Sequence, residues 1–319
     1  MKKILVSYTL PEAGLKPLKQ YFDVIYPTDK SSFSREEILE KIPEVDGYLA
    51  VNVSVDADVI DAASNLKIIA NYGVGYDSID VEYATQKGII VTNTPTAVTE
   101  ATAETAFGLM LSVLRNITYC DRKLRSGDSD SIWGMLQQHT GHSLYGKTLG
   151  IIGLGRIGQA VARRAITFGM NILYYQRNRL FDHFEWQSSA RYVSLDELLK
   201  QSDVVSLHTP LTESTHHLLG ATELAKMKPS AYLINTARGP VVDERALIER
   251  LQTGKLAGAG LDVFEEEPHI PDELLQLENV VLTPHIGTET IEARIAMAHE
   301  AVLNLVTYFE GTTPPHKVN

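Results

Sequence analysis

Short apolar, β-branched runs alternate with helix-period stretches almost from one end of the chain to the other. Residues 4–8, 23–26, 47–51, 67–71 and 89–93 predict strands, each a brief and mostly apolar run. Between them lie amphipathic segments such as 34–42, where Glu37 follows Ser34 at the spacing of a capping box. A second series begins at Lys147, with strands predicted at 149–152, 171–175, 204–208, 231–235, 258–261 and 280–283. This rhythm implies parallel strands joined by crossover helices, an α/β class. Residues 99–125 link the two series and predict one long helix, rich in Ala, Leu, Thr and Glu without internal Pro. A last helix is predicted over about 289–310, ahead of Gly311 and the Pro314-Pro315 stop. No short-period repeat or low-complexity tract interrupts the pattern.

At 319 residues the chain has about twice the usual length per domain, so two domains are expected. Lys and Arg number 29 against 40 Asp and Glu, a formal charge of −11. That field argues against nucleic acid or an anionic membrane as partner, and an anionic ligand must be met by local positive charge. Cys120 is the single cysteine, which excludes an internal disulfide and fits a cytoplasmic protein. The opening residues begin like a secretory leader. However, Ser7, Tyr8, Thr9 and Pro11 break the run short of the roughly 7–15 apolar residues a leader needs, so a first strand is expected. No run nears the ~18 apolar residues of a membrane span.

Gly153-Leu154-Gly155-Arg156-Ile157-Gly158 fits G-x-G-x-x-G, a weak pattern alone that its context strengthens. It follows an apolar strand and opens a helix whose Ile157, Val161 and Ala165 share one face. The first glycine permits a tight turn, the second a close approach to a pyrophosphate, the third close helix–strand packing. Free N–H groups at the helix start favour phosphates. The next strand ends at Gln176, where a carboxylate would hold the adenosine ribose, and Arg177-Asn178-Arg179 follow. Neutral Gln176 with the Arg177 and Arg179 guanidinium groups would accept a 2′-phosphate, so NADP(H) is favoured and NAD(H) is allowed.

Four further stretches make the chain resemble the D-isomer-specific 2-hydroxyacid dehydrogenases. They are Asn71-Tyr72-Gly73-Val74-Gly75-Tyr76-Asp77, Asn93-Thr94-Pro95 with Glu100-Ala101-Thr102-Ala103-Glu104, Asn235-Thr236-Ala237-Arg238-Gly239, and Asp262-Val263-Phe264-Glu265-Glu266-Glu267-Pro268 followed by Thr283-Pro284-His285-Ile286-Gly287. The likeness runs nearly the whole chain in order, and within the family it is most similar to the glyoxylate/hydroxypyruvate reductases. The resemblance implies two Rossmann-like parallel-sheet domains with a cleft between them. A flavodoxin-like catalytic, substrate-binding domain would comprise 1–98 and 288–319, and an inserted NAD(P)-binding domain 99–287. It also implies a homodimer through the nucleotide-binding domains, and a catalytic set of Arg238, Glu267 and His285.

Those residues suit reduction of a 2-keto acid. The Arg238 fork can hold carboxylate and carbonyl oxygens together. The His285 imidazole can deliver a proton as hydride arrives at the carbonyl carbon. Glu267, directly before the proline, would orient the imidazole and favour its cation; Glu265 and Glu266 beside it read equally as a solvated acidic run. Gly73, Val74 and Gly75 would turn N–H groups toward the substrate carboxylate as an anion nest, and Asn52 would face the same cleft. The resemblance assigns Asp262 to the nicotinamide carboxamide; Thr209, Pro210, Thr236, Ala237 and Gly287 are expected to line the nicotinamide half of the site, and Thr102 to contact the cofactor. No residues are assigned to a metal. Trp133 stands where many relatives carry Trp then Pro; here Gly134 follows, which breaks the detailed carry-over to the partner's pocket.

The expected activity is hydride transfer from NAD(P)H to a small 2-keto acid, glyoxylate or hydroxypyruvate, giving the D-2-hydroxy acid. A 3-phosphoglycerate dehydrogenase would need a further cationic site, and many carry a C-terminal regulatory domain, whereas this chain stops after its last helix. Bulkier substrates such as 2-ketoisocaproate stay open. The rival from another class is an NAD(H)-sensing corepressor, against which the acidic charge and the lack of a basic tail speak.

Overall fold

The two series of strands form two parallel sheets, as their nearly continuous apolar character demands. Strands buried on both faces have no polar side to present to water. The computed structural model describes residues 1–127, 139–180, 185 and 190–319, and Trp133 lies outside them. Two compact units emerge, Met1–Val98 with Thr288–Asn319, and Thr99–Gly287. Among the described residues no helix is long and apolar enough to cross a membrane.

In the first unit, β1 (Lys3–Val6), β2 (Asp23–Ile25), β3 (Gly47–Ala50), β4 (Ile68–Asn71) and β5 (Ile90–Thr92) pair in the order β2-β1-β3-β4-β5. This is the flavodoxin-like order, whose ligand crevice lies outside the carboxyl ends of β1 and β3. Asn52 stands just beyond β3, exposed and at φ 49. Ser34 caps the helix Arg35–Lys41 with Glu37 in a complete capping box. Helix Glu12–Tyr21 packs against the last helix, Ile291–Phe309, where a Cβ on Gly14 would meet Ala298 Cβ at 2.2 Å. The chain's end then lies along β5: Val318 N–H donates to Val91 O, and Asn319 Oδ1 accepts from Val91 N–H.

The second unit holds β6 (Thr148–Ile152), β7 (Asn171–Tyr175), β8 (Ala190–Tyr192), β9 (Val204–Leu207), β10 (Tyr232–Asn235), β11 (Gly258–Leu261) and β12 (Val280–Leu282), in the order β12-β11-β10-β9-β6-β7-β8. Order reverses between β6 and β9, the crevice where open α/β sheets bind nucleotides. Both faces are covered. Ile151, Tyr174, Val204 and Ile234 join one apolar cluster with Phe107, Met110 and Val161. Their neighbours Ile152, Leu173, Val205 and Leu233 join another with Leu198, Leu247 and Leu251. Each such side chain contributes about 1.5–3 kcal/mol on burial.

Two expectations fail locally. Residues 99–125 form two helices, Thr99–Leu114 and Ile117–Arg125, because Asn116 adopts φ 55, a left-handed conformation that Asn tolerates and that breaks the helix. The strand β8 was not predicted: it is a short edge strand with only Ala190 buried, so no apolar run betrays it.

Candidate active site

Arg238, Glu267 and His285 all belong to the second unit, on the loops that follow β10, β11 and β12. Each loop is shaped by a side chain at or near its strand's end. Asn235 closes β10, accepting from Ala237 N–H at 3.0 Å and donating to Arg238 O at 2.9 Å, so the turn presenting Arg238 is built by its own first residue. Gly239 lets that turn press onto the next loop, since a Cβ there would lie 1.8 Å from Phe264 O. After β11, Phe264 N–H donates to Glu267 Oε1 at 3.0 Å.

Asp262 does for β12 what Asn235 does for β10. Its Oδ1 accepts from Thr283 Oγ1 at 2.6 Å and Ile286 N–H at 2.8 Å, and its Oδ2 from Gly287 N–H at 2.8 Å. Burial pushes the Asp262 carboxyl up, against those three donors and the nearby His285. The residue expected to meet a carboxamide is thus spent largely on fixing residues 283–287. His285 sits inside that turn at φ 55, a strained conformation for a ring-bearing residue. Thr102 and Gly287 adjoin Asp262: a Cβ on Gly287 would meet Asp262 Oδ2 at 3.1 Å and Thr102 Oγ1 at 3.7 Å.

Glu267 Oε2 meets His285 Nδ1 at 2.8 Å. Burial alone would raise the Glu267 carboxyl, but the His285 bond, its charge, the Phe264 N–H and the Arg238 charge outweigh this and hold it below the ordinary range. Glu267 is therefore ionised at neutral pH, and Arg238 lies near enough to act on it. Of the three consecutive glutamates, Glu265 bonds a different imidazole, that of His217, and Glu266 is exposed. Glu267→Gln removes the anion beside the imidazole. The alkaline limb of the reduction pH–rate profile is then expected to move down by about one pH unit or more. An unmoved limb would mean that Glu267 does not support the proton donor.

Sequence reasoning did not single out His208, which follows β9 directly, next to Thr209 and Pro210. Its Nε2 meets Ser206 Oγ at 2.8 Å, its Nδ1 is shut away from solvent, and burial pushes the imidazole down to about 3. It stays neutral at any ordinary pH and so cannot donate a proton.

The glycine loop fits a dinucleotide. Gly153 takes φ 93, and a Cβ there would meet His208 O at 2.6 Å. A Cβ on Gly158 would meet Gly153 O at 2.2 Å, while one on Gly155 would meet nothing within 4 Å. The helix Arg156–Thr167 starts at Gly155 with no side-chain cap, leaving its first N–H groups, those of Arg156 and Ile157 among them, turned to an anion. Thr236 Oγ1 is buried without a hydrogen-bond partner, a further group that a ligand would satisfy; Ala237 beside it is half-buried.

The ribose end differs from expectation. Gln176 Oε1 accepts from Leu154 N–H at 3.0 Å and its Nε2 donates to Asn178 O at 2.6 Å, so this side chain braces the glycine loop. Arg179 forks onto Glu185 at 2.8 and 2.7 Å. Arg179, together with the Tyr174 hydroxyl, holds the Glu185 carboxyl down at about 2. Arg177 is exposed.

In the first unit the carbonyls of Gly73 and Gly75 accept from Asn71 Nδ2 at 2.9 and 2.7 Å, and that of Val74 from Asn93 Nδ2 at 2.9 Å. Neither glycine has a positive φ, so the expected left-handed nest does not form. Instead two asparagines tie the carbonyls back, and no bond to another described residue engages the three N–H groups.

A family model for the NAD-binding domain of the D-isomer-specific 2-hydroxyacid dehydrogenases matches residues 107–287. The glyoxylate reductase of Thermococcus litoralis is 49% identical over 99% of this chain and 96% of its own length. The crystal structure of a glyoxylate reductase from Paecilomyces thermophila superposes with a TM-score of 0.89 at 38% identity, covering 99% of this chain and 98% of that one. The NADPH-dependent glyoxylate/hydroxypyruvate reductase of Sinorhizobium meliloti, solved with NADP and malonate, gives 0.87 at 35% identity, covering 99% and 96%.

Proposed function

Since the chain belongs to the D-isomer-specific 2-hydroxyacid dehydrogenases, we propose that it reduces glyoxylate or hydroxypyruvate to the D-2-hydroxy acid with NADPH. The observation that carries this reading is the His285–Glu267 bond with Arg238 acting on the same carboxylate, on strand ends of the sheet that bears the glycine loop. Arg238 would grip the substrate carboxylate and polarise the carbonyl. His285 would pass its proton to the carbonyl oxygen, and Glu267 would keep the ring oriented and stabilise its cation. NAD(P)H, with its pyrophosphate held at the glycine loop and its nicotinamide half near Thr236, would supply the hydride. The free N–H groups of Gly73, Val74 and Gly75 suit them to a carboxylate, and Asn52 stands at the first sheet's order reversal. The short acids are favoured because, among the described candidate substrate residues, Arg238 is the one guanidinium.

The test is a panel of glyoxylate, hydroxypyruvate, pyruvate and phosphohydroxypyruvate with each reduced cofactor, followed by absorbance. Turnover should be greatest on the first two; turnover on none would end the reading.

The NADPH preference rests on the absence of a carboxylate at Gln176 and on exposed Arg177, because Arg179 is engaged by Glu185. Arg177→Ala is expected to lower kcat/KM for NADPH about ten-fold or more, as loss of a charge-assisted bond should, and to leave that for NADH nearly unchanged. Equal losses with both cofactors would refute the assignment. A homodimer through the second unit completes the proposal. Tyr145, 81% exposed, packs against Gly169, and Phe168, 46% exposed, precedes that glycine; both offer apolar surface for it.

A further inference from the structure

Away from the candidate catalytic set, the second unit gathers two more imidazoles at another carboxylate. His216 and His217 lie on the loop after β9, and Glu265 on the loop after β11, two residues before Glu267. The two rings stand 4.1 Å apart between centroids, and His217 Nε2 meets Glu265 Oε1 at 2.6 Å. One nitrogen from each ring and one carboxylate oxygen all lie within 4.8 Å of one another. We propose that His216, His217 and Glu265 bind a divalent transition-metal ion of the zinc class, which clasps the loop after β9 to the loop that carries Glu267.

Two imidazoles and a carboxylate form a donor set that zinc takes, with a fourth position left for water. Tetrahedral bonds of about 2.0–2.2 Å put ligand atoms roughly 3.3 Å apart. The 2.6 Å pair therefore opens slightly as the ion takes the place of their shared proton, and exposed His216 swings in.

Two of the three ligands are already braced. His217 is held at φ 48 by its own N–H, which donates to Pro240 O at 2.8 Å. The loop before it is cross-tied by Thr215, whose Oγ1 accepts from Thr212 N–H at 2.8 Å and donates to Pro210 O at 2.7 Å. Glu265 Oε2 accepts from Glu244 N–H at 3.1 Å, and Glu265 N–H donates to Glu244 Oε1 at 3.2 Å. That leaves Oε1 aimed at the imidazole, the outer support that metal ligands require. Glu244, Glu249, Glu266 and Glu273 line the hollow beside Glu265 together with Arg245 and His269, so carboxylates outnumber the positive groups and the local field draws a dication. Nitrogen donors disfavour magnesium and calcium, which demand oxygen.

The test uses tag-free full-length protein stripped with a chelator, titrated with Zn²⁺ by calorimetry and with Co²⁺ by visible absorption. One ion per chain is expected, with tetrahedral-strength Co²⁺ bands and a Zn²⁺-dependent rise in Tm. His216→Ala, at an exposed position, and His217→Asn, which keeps the left-handed conformation accessible, should each weaken binding at least about ten-fold. His285→Asn should leave it unchanged, and so separates this site from the catalytic reading. No stoichiometric ion in the wild type, undiminished affinity in His216→Ala, or loss of binding in His285→Asn would each overturn the proposal.

Discussion

His285→Asn is expected to lower kcat for keto-acid reduction by about 10²–10⁴-fold while leaving cofactor affinity close to that of the wild type. Asn is the informative replacement because it tolerates the φ of 55 found at this position, so the turn survives while the acid is lost. The turn also has independent support, three bonds to the Asp262 carboxylate that involve no atom of the imidazole. The buried His208 beyond β9 is held neutral and cannot substitute. Single-turnover measurement of hydride transfer checks the prediction, and a rate within about three-fold of the wild type would place the proton donor elsewhere.

Gly239→Ala should be nearly as damaging to activity, and it should also destabilise the fold. The new Cβ would lie 1.8 Å from Phe264 O and 1.9 Å from Phe264 C, backbone atoms that cannot rotate aside. Overpacking of this kind costs about 1–3 kcal/mol. Relief requires the Arg238 turn and the loop bearing Glu267 to part. A displacement near 1 Å of a substrate-positioning group can reduce turnover by about 10²-fold. The matched control is Gly108→Ala, in the helix Thr99–Leu114, where the Cβ meets nothing within 4 Å. That change should stabilise by roughly 0.5–1 kcal/mol through helix propensity. Thermal unfolding and kcat of both variants decide the matter; an active, stable Gly239→Ala protein would show that the close approach is dispensable.

Much of the architecture was legible because parallel sheets announce themselves. Strands such as Leu-Gly-Ile-Ile before Gly153 are buried on both faces, and the glycine spacing locates the order reversal. Less legible were features carried by single side chains acting on backbone. Asn116 interrupts a helix whose composition gave no warning, because the signal is one residue's tolerance of positive φ. The motif marks Asp262 as a ligand-facing group, yet its three internal bonds run to residues more than twenty positions away, which no local pattern encodes. Gln176 and Arg179 likewise carry the right chemistry for a phosphate, but Leu154 and Glu185 already engage them. The His216–His217–Glu265 cluster depends on two loops meeting, so its spacing in the chain resembles no metal motif.

The first unit is assembled from both ends of the polypeptide, and this has a bearing on biosynthesis. When residue 98 leaves the ribosome, helix Glu12–Tyr21 lacks its packing partner Ile291–Phe309, and β5 lacks the segment that lies along it. The inserted unit, Thr99–Gly287, is contiguous and can fold while the rest is still being translated. The nascent amino-terminal portion must therefore wait with an apolar surface uncovered, and shortening the chain before residue 309 would make that wait permanent.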